Sequence, residues 1–120
     1  MTSSLRPLTD VFKALGHPAR MRIAAMLAEG ELCVCQITAV LGVAPSTASA
    51  HLAVLRRAGL ITEEKRGRWV FYSMAPPSAP TAALMAPLWE RLARDPQVKA
   101  DERLLSELGR ISPVEEGCAP

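Results

Sequence analysis

The spacing of apolar residues predicts a chain of short helices interrupted by one pair of strands. From residue 8 to residue 58 apolar side chains recur every three or four positions, and Gly16, Gly30 and Gly42 divide this part into four helices. From residue 60 to residue 74 the period falls to two, which predicts strands over 60–64 and 68–74 around a turn at Lys65-Arg66-Gly67. After a proline-rich break the helical period returns, with stripes over 83–92 and 104–111.

The third and fourth helices predict a helix-turn-helix. The third covers 36–41 and is closed by Gly42, and the fourth covers 45–58, with Pro45 suited to its first position. With the basic hairpin that follows, the pattern indicates a mainly α fold with a β-hairpin wing, that is, a winged helix-turn-helix. We expect one DNA-binding and dimerisation domain over 1–112 and a flexible tail over 113–120.

Composition adds information mainly through the distribution of charge. The chain has 120 residues, 49% of them apolar, which is enough for one core, and a net charge of only +2. Between residues 45 and 72, however, five basic residues stand against two acidic ones, which favours an anionic partner at this place. With no secretory signal and no apolar run of membrane-spanning length, we expect a cytoplasmic protein without a membrane partner.

Two of the three cysteines, Cys33 and Cys35, lie just before the predicted third helix. In a reducing compartment such a pair indicates metal binding, redox chemistry or inert packing. Residues i and i+2 point about 200° apart on an α-helix, so one cysteine must lie outside the helix if both are to bind one ion. An extended segment points i and i+2 to the same side, and we therefore expect that capture of a soft ion favours a straightened or frayed Cys33-Val34-Cys35.

Five sequence blocks carry a family resemblance: Phe12-Lys13-Ala14-Leu15 with Pro18-Ala19-Arg20, Glu31-Leu32-Cys33-Val34-Cys35, Ser49-Ala50-His51-Leu52-Ala53-Val54-Leu55, Ala58-Gly59-Leu60-Ile61, and Arg66-Gly67-Arg68-Trp69-Val70-Phe71-Tyr72. In this order they resemble the ArsR/SmtB family of dimeric winged-helix repressors, over roughly residues 8 to 75. The block around the two cysteines is similar to the arsenite- and antimonite-responsive branch.

The resemblance implies a homodimer that binds double-stranded operator DNA and is released when As(III) or Sb(III) binds Cys33 and Cys35. Many members carry a third cysteine where this chain has Ile37, which leaves Cys118 in the tail as the remaining candidate sulfur ligand. The resemblance also implies that the apolar stripe over 83–92, together with the first helix, forms the dimer surface. The expected groove contacts are Ser46, Thr47, Ser49 and His51, and the expected phosphate contacts are Arg56, Arg66 and Arg68.

Two other classes of function stay open. A repressor of the same fold could respond to thiol oxidation or to another soft metal such as Cd, Zn or Pb, although 84–94 has no histidine for a zinc site and 1–32 has no cysteine for a cadmium or lead site. A thiol-redox enzyme would need Cys-x-x-Cys on a βαβ unit, and the sequence has neither. We therefore predict no enzyme activity, no catalytic residue and no catalytic cofactor.

Overall fold

The secondary structure agrees with the predicted order of elements and adds one strand. The computed structural model describes residues 5–76, 79 and 82–108. Within them the elements are α1 (Leu5–Leu15), α2 (Pro18–Ala28), β1 (Leu32–Cys33), α3 (Val34–Leu41), α4 (Pro45–Arg57), β2 (Ile61–Arg66), β3 (Trp69–Met74), α5 (Ala82–Leu92) and α6 (Pro96–Leu108). The predicted mainly α fold with a hairpin wing is confirmed.

Helices α3 and α4 form the helix-turn-helix. Gly42 ends α3 in the left-handed conformation with a φ of 71°, where glycine has no steric cost, and the chain then bends by 112° into α4. This angle lies in the range of helix-turn-helix motifs. The buried side of α4 consists of Ala48, Leu52 and Leu55, each fully buried, so the helix is fixed on the core by the predicted stripe.

The three strands form an antiparallel sheet in the order β1-β3-β2. The sequence did not predict β1, which pairs Leu32 with Tyr72 and Cys33 with Phe71. The predicted position of the turn in the β2–β3 hairpin, hereafter the wing, was wrong by one to two residues. Arg66 is the last residue of β2 and pairs with Trp69, so the turn is Gly67-Arg68, and Gly67 has a φ of 62°.

Helix α6 packs on α2 and α3 and brings Leu105 into the core. It is fixed by an ion pair in which Arg22 donates to both carboxylate oxygens of Asp101, at 2.9 and 2.8 Å. The described part of α6 ends at Leu108, so the rest of the predicted stripe, with Ile111, lies outside the described residues, as does the predicted tail 113–120.

Large apolar side chains are left exposed on α1 and α5. Phe12 lies within the apolar spacing of α1, yet it is 60% exposed, because none of the other described elements covers the side of α1 that carries it. Leu5 and Leu84 are exposed as well. No single helix among the described residues is long and apolar enough to cross a membrane; only α3 and α4 taken together, as a bent pair, reach that length and composition.

Candidate functional site

The thiols of Cys33 and Cys35 lie next to each other at the start of α3. Cys33 is the N-cap residue and has extended backbone angles, φ −93° and ψ 164°, whereas Cys35 is the second residue of the helix. The two Sγ atoms are 2.6 Å apart. This separation is longer than the bond of a disulfide, about 2.05 Å. The sequence predicted a third helix over 36–41 with both cysteines before it; α3 instead begins at Val34, so Cys33 lies outside the helix and Cys35 lies within it.

The two sulfurs meet without straightening of the whole Cys33-Val34-Cys35 segment. Helix α3 begins at Val34 and contains Cys35, and the sulfurs are nevertheless in contact. The reason is that only one residue has to leave the helix: the extended backbone of Cys33 turns its side chain back over the first helical turn. Two sulfurs bound to one tetrahedral ion at about 2.3 Å are roughly 3.7 Å apart, which is close to the separation of two thiols in van der Waals contact, so this backbone geometry suits a shared ion.

Gln36 holds Cys33 in this position. Its Oε1 accepts a hydrogen bond from the backbone N–H of Cys33 at 3.0 Å, and the Cys33 thiol accepts from the backbone N–H of Gln36. This reciprocal arrangement is a capping box in which sulfur replaces the usual hydroxyl oxygen. Cys33 is 2% exposed and Gln36 is also buried. The thiol therefore caps the start of α3 and is also one of the two sulfurs of the candidate ligand pair.

The described residues supply two sulfur ligands but no complete metal centre. Among residues 5–76, 79 and 82–108 no group of three or more His, Cys, Asp or Glu side chains could hold a metal ion. Cys118, the third predicted ligand, lies outside them. Helix α6, which precedes the tail, packs on α3, and Leu108 at its end is packed against the core. Cys118 is ten positions beyond Leu108, and this stretch of chain spans about 33 Å when fully extended.

The first turns of α4 present three small polar side chains to solvent. Ser46, Thr47 and Ser49 are all exposed, on the opposite side from the buried stripe. The N-cap, Ala44, has no side-chain hydrogen bond to the helix, and Pro45 occupies the first helical position. These three predicted groove contacts are therefore accessible together.

His51, the fourth predicted groove contact, faces a different direction. Its ring lies 4.5 Å from that of His17, centroid to centroid, and its Nδ1 is 3.4 Å from Nη1 of Arg20. Because arginine can only donate, Nδ1 acts as acceptor and the proton of the neutral ring is on Nε2. Burial, followed by electrostatic repulsion from His17 and Arg20, lowers the pKa of His51. His17 itself caps α2 by accepting from the N–H of Ala19, so it has a structural role at the start of that helix.

The predicted phosphate contacts differ in whether they already have partners. Arg56 lies 3.8 Å from Glu63. Arg66 donates to both carboxylate oxygens of Glu31, at 2.9 and 2.5 Å, and to Glu64 at 3.1 Å, and these hydrogen bonds, Glu64 first, raise the pKa of its guanidinium. Arg68 is exposed in the wing turn and forms no ion pair within the described part of the chain.

Sequence reasoning missed the contact between Glu31 and Arg66 and the strand that makes it possible. Glu31 is placed beside the wing because β1 pairs with β3. A strand of two residues shows no period, so hydrophobic patterning could not reveal it. The only available signal was chemical: Glu31 is an acidic residue next to an apolar pair, at the same end of the fold as a basic hairpin.

Comparison with known proteins gives concordant matches. The chain is 43% identical over 67 residues to the arsenic resistance transcriptional regulator ArsR1 of Pseudomonas putida and 41% identical over 75 residues to the arsenical resistance operon repressor of Escherichia coli. These matches cover 55% and 62% of this chain, and 52% and 63% of the relatives, so the chain spans less than two thirds of either relative. A cadmium resistance regulatory protein CadC homologue of Staphylococcus aureus is 43% identical over 68 residues, or 56% of each chain.

A solved structure matches most of the chain. It is the homodimeric winged helix-turn-helix domain of Mb0332 from Mycobacterium bovis, described as a possible ArsR-family regulator, with a TM-score of 0.62 and 30% identity. The match covers 88% of this chain and 93% of that one.

The helix-turn-helix, the wing and the exposed polar start of α4 define a winged helix-turn-helix transcription regulator, which is a class of regulators and not of enzymes. A family model described as bacterial regulatory protein, arsR family, matches residues 17–63. Together with the identity over nearly the whole Mycobacterium bovis domain, this match shows that the chain belongs to the ArsR family.

Proposed function

We propose that this ArsR-family regulator is a repressor that binds operator DNA as a homodimer and releases it when As(III) or Sb(III) binds Cys33 and Cys35. The observation that carries the proposal is the contact between the two sulfurs at the start of α3, the first helix of the helix-turn-helix. Soft thiolates bind soft ions in preference to hard ones. The arsenic-resistance names of the Pseudomonas putida and Escherichia coli relatives support the choice of inducer.

The DNA complex follows from the accessible polar surface. Helix α4 lies in the major groove through Ser46, Thr47 and Ser49, and Arg68 at the wing turn contacts phosphate or the minor groove. Arg56 and His51 can contribute only after leaving Glu63 and His17, respectively. With two subunits the half-sites lie about 10 to 10.5 base pairs apart, one turn of the duplex.

Homodimerisation uses the exposed apolar surface of α1 and α5. Leu5, Phe12 and Leu84 are each more than half exposed in the single chain, and burying such side chains is favourable by roughly 1.5–3 kcal/mol each. The homodimeric state of the Mycobacterium bovis domain supports this arrangement. It also sets the two α4 helices at a fixed distance from each other, as operator binding requires.

Capture of the inducer changes the packing of α3 rather than melting it. The Cys33 thiol moves out of its hydrogen bond from the backbone N–H of Gln36 and binds the metalloid instead. Since α3 packs directly on α4, this movement reaches the DNA-binding helix. Cys118 supplies the third sulfur when its tail folds back toward α3, in the same subunit or in the partner.

The test is an operator titration of the wild type, Cys33→Ser, Cys35→Ser and Cys118→Ser, each without metal, with arsenite, and with Zn(II) or Cd(II). We expect all four proteins to bind operator without metal. Arsenite weakens operator binding of the wild type by about 5- to 150-fold, the usual range of an allosteric coupling, and leaves Cys33→Ser and Cys35→Ser unaffected.

Three results would revise the proposal in different ways. A full response of Cys118→Ser removes the tail from the ligand set. Release by cadmium or zinc in place of arsenite moves the inducer to the class named for the Staphylococcus aureus relative. An arsenite response that survives in Cys33→Ser and Cys35→Ser refutes the thiol site.

A second candidate, regulation by thiol oxidation, is favoured by the same contact between sulfurs. A peroxide would oxidise one thiol to a sulfenic acid with release of water, and the second thiol would displace a further water to form a disulfide. The same titration with hydrogen peroxide in place of metal separates the two functions. Peroxide that releases DNA from the wild type, with recovery by dithiothreitol, while arsenite has no effect, establishes the redox function.

A further inference from the structure

A salt bridge joins the segment that carries the thiols to the wing. Glu31 directly precedes β1, which ends at Cys33, and its carboxylate accepts two hydrogen bonds from Arg66 at the end of β2. Ser73 on β3 donates a further hydrogen bond to Glu31 at 3.4 Å. We call Glu31 and Arg66 the clamp.

The clamp crosses the whole sheet. In the strand order β1-β3-β2, Glu31 just before β1 and Arg66 in β2 lie on opposite sides of β3. The arginine side chain must therefore reach over β3 to meet the carboxylate. On the way its guanidinium lies over the ring of Phe71, with Cζ 4.5 Å from the ring centroid. Phe71 is the cross-strand partner of Cys33. One continuous set of contacts therefore connects a thiol ligand with the end of the wing.

The form of these contacts suits positioning better than stability. Both side chains are partly exposed, 45% for Arg66 and 35% for Glu31, and exposed ion pairs contribute little to the free energy of folding. A two-pronged arginine–carboxylate contact with a ring beneath it nevertheless fixes both the distance and the orientation of the guanidinium. Gly67 and Arg68 follow Arg66 directly, so the orientation of the wing turn depends on the clamp.

We propose that Glu31 and Arg66 are positioning residues that transmit ligand binding at Cys33 and Cys35 to the wing, so that the inducer moves Arg68 away from DNA in addition to disturbing α4. The inference rests on the proposed function. Ligand binding draws the thiol of Cys33, the last residue of β1, out of its hydrogen bond with the backbone N–H of Gln36. Because β1 is joined to β3 by pairing and to β2 by the clamp, the wing moves with it. Without the clamp, only the pairing with β3 remains to carry the movement.

Glu31→Gln tests this route, and Glu64→Gln is its matched control. The glutamine at 31 has the same shape but cannot form the charged two-pronged contact, whereas Glu64 also binds Arg66 but lies within the wing and has no link to β1. Operator affinity is measured for both variants and the wild type with and without arsenite. Arg66→Lys, which keeps the charge and loses the planar fork, is the second variant.

We expect Glu31→Gln to bind operator nearly as the wild type does without arsenite. The factor by which arsenite weakens binding should fall by about 2- to 30-fold, the effect typical of residues in a coupling network, while Glu64→Gln keeps the wild-type factor. Arg66→Lys should lose coupling as Glu31→Gln does. In hydrogen exchange without DNA, arsenite should accelerate the amides of β2, which the clamp joins to β1, in the wild type and in Glu64→Gln but not in Glu31→Gln.

The possible failures are distinguishable. If arsenite releases the wild type and Glu31→Gln equally, the clamp carries no signal and the inference is overturned, while the proposed function stands. An equal loss of coupling in Glu31→Gln and Glu64→Gln also overturns it, because the effect then belongs to the wing in general. If the wild type itself ignores arsenite, the proposed function fails, and the inference fails with it.

Discussion

Two arginine–carboxylate pairs with nearly the same geometry lie in very different surroundings. Arg22 binds Asp101 through two hydrogen bonds of 2.9 and 2.8 Å, and Arg66 binds Glu31 through two of 2.9 and 2.5 Å. Asp101 is 3% exposed and receives a third hydrogen bond from Gln97, whereas Glu31 is about one third exposed at the edge of the sheet. The first pair joins two helices of the core, and the second joins the thiol segment to the wing.

The difference shows that burial decides what such a pair contributes. If one member of a buried pair is removed, a desolvated charge is left without compensation, so the folded state depends on the pair remaining complete. Near the surface water takes over the lost contact, and the pair then matters for the position of the groups that it joins. The predictions below test this contrast.

The largest effect is expected at the buried pair. Asp101→Ala should lower the free energy of unfolding by about 3 kcal/mol, because Arg22 would remain partly buried without a counter-charge. Urea unfolding at a fixed protein concentration measures the loss. Glu107→Ala, an exposed acidic position on the same helix, is the control and should change stability by less than about 0.5 kcal/mol. A loss below about 1 kcal/mol at Asp101 would contradict the contrast.

A smaller effect on stability is expected at the exposed pair. Glu31→Gln should lower the free energy of unfolding by less than about 1 kcal/mol, since solvent replaces the lost contact. The same urea titration measures it, with Glu64→Gln as the comparison. If Glu31→Gln destabilised the protein as much as Asp101→Ala, the clamp would be part of the folding core, and its assignment as a positioning pair would be wrong.

The smallest effect on stability is expected at His51, whose ring is only partly buried and lies beside His17 and Arg20. Its pKa is lowered in the folded state, so as pH falls below the ordinary value of about 6.5 the unfolded chain takes up this proton first. The free energy of unfolding should therefore be constant above that pH in respect of His51 and should decrease below it. The free energy of unfolding, measured between pH 7.5 and 5.5, should decrease less steeply with falling pH for His51→Gln than for the wild type. Equal slopes would refute the lowered pKa of His51.

The sequence predicted those parts of the fold that depend on local periodicity. The buried stripe of α4, the cap at His17 and the glycine in the wing turn follow from spacing and backbone preference alone, and the structure has each of them. It also predicted that one of Cys33 and Cys35 must lie outside the helix if both are to bind one ion. The structure adds that a single N-cap residue with extended angles is enough to bring the sulfurs together.

Contacts between distant segments could not be predicted in the same way. Glu31 and Arg66 are 35 residues apart, and Arg22 and Asp101 are 79 apart. Each pairing depends on strand register or helix docking, which a shift of one residue would change. The predicted position of the wing turn illustrates this sensitivity. In that prediction Arg66 lies at the exposed tip, where it would be available to phosphate, whereas in the observed register Arg66 lies beside Glu31.

Cys33 is the last residue of β1 and the N-cap of α3, and its sulfur is one half of the candidate ligand pair. A hydroxyl group can take over its capping role, and does so more strongly. Under the proposed function, exchanging this one sulfur for oxygen would keep the fold intact and remove one of the two ligands of the inducer. A descendant protein with this single substitution would still fold and bind operator, but arsenite would no longer release it.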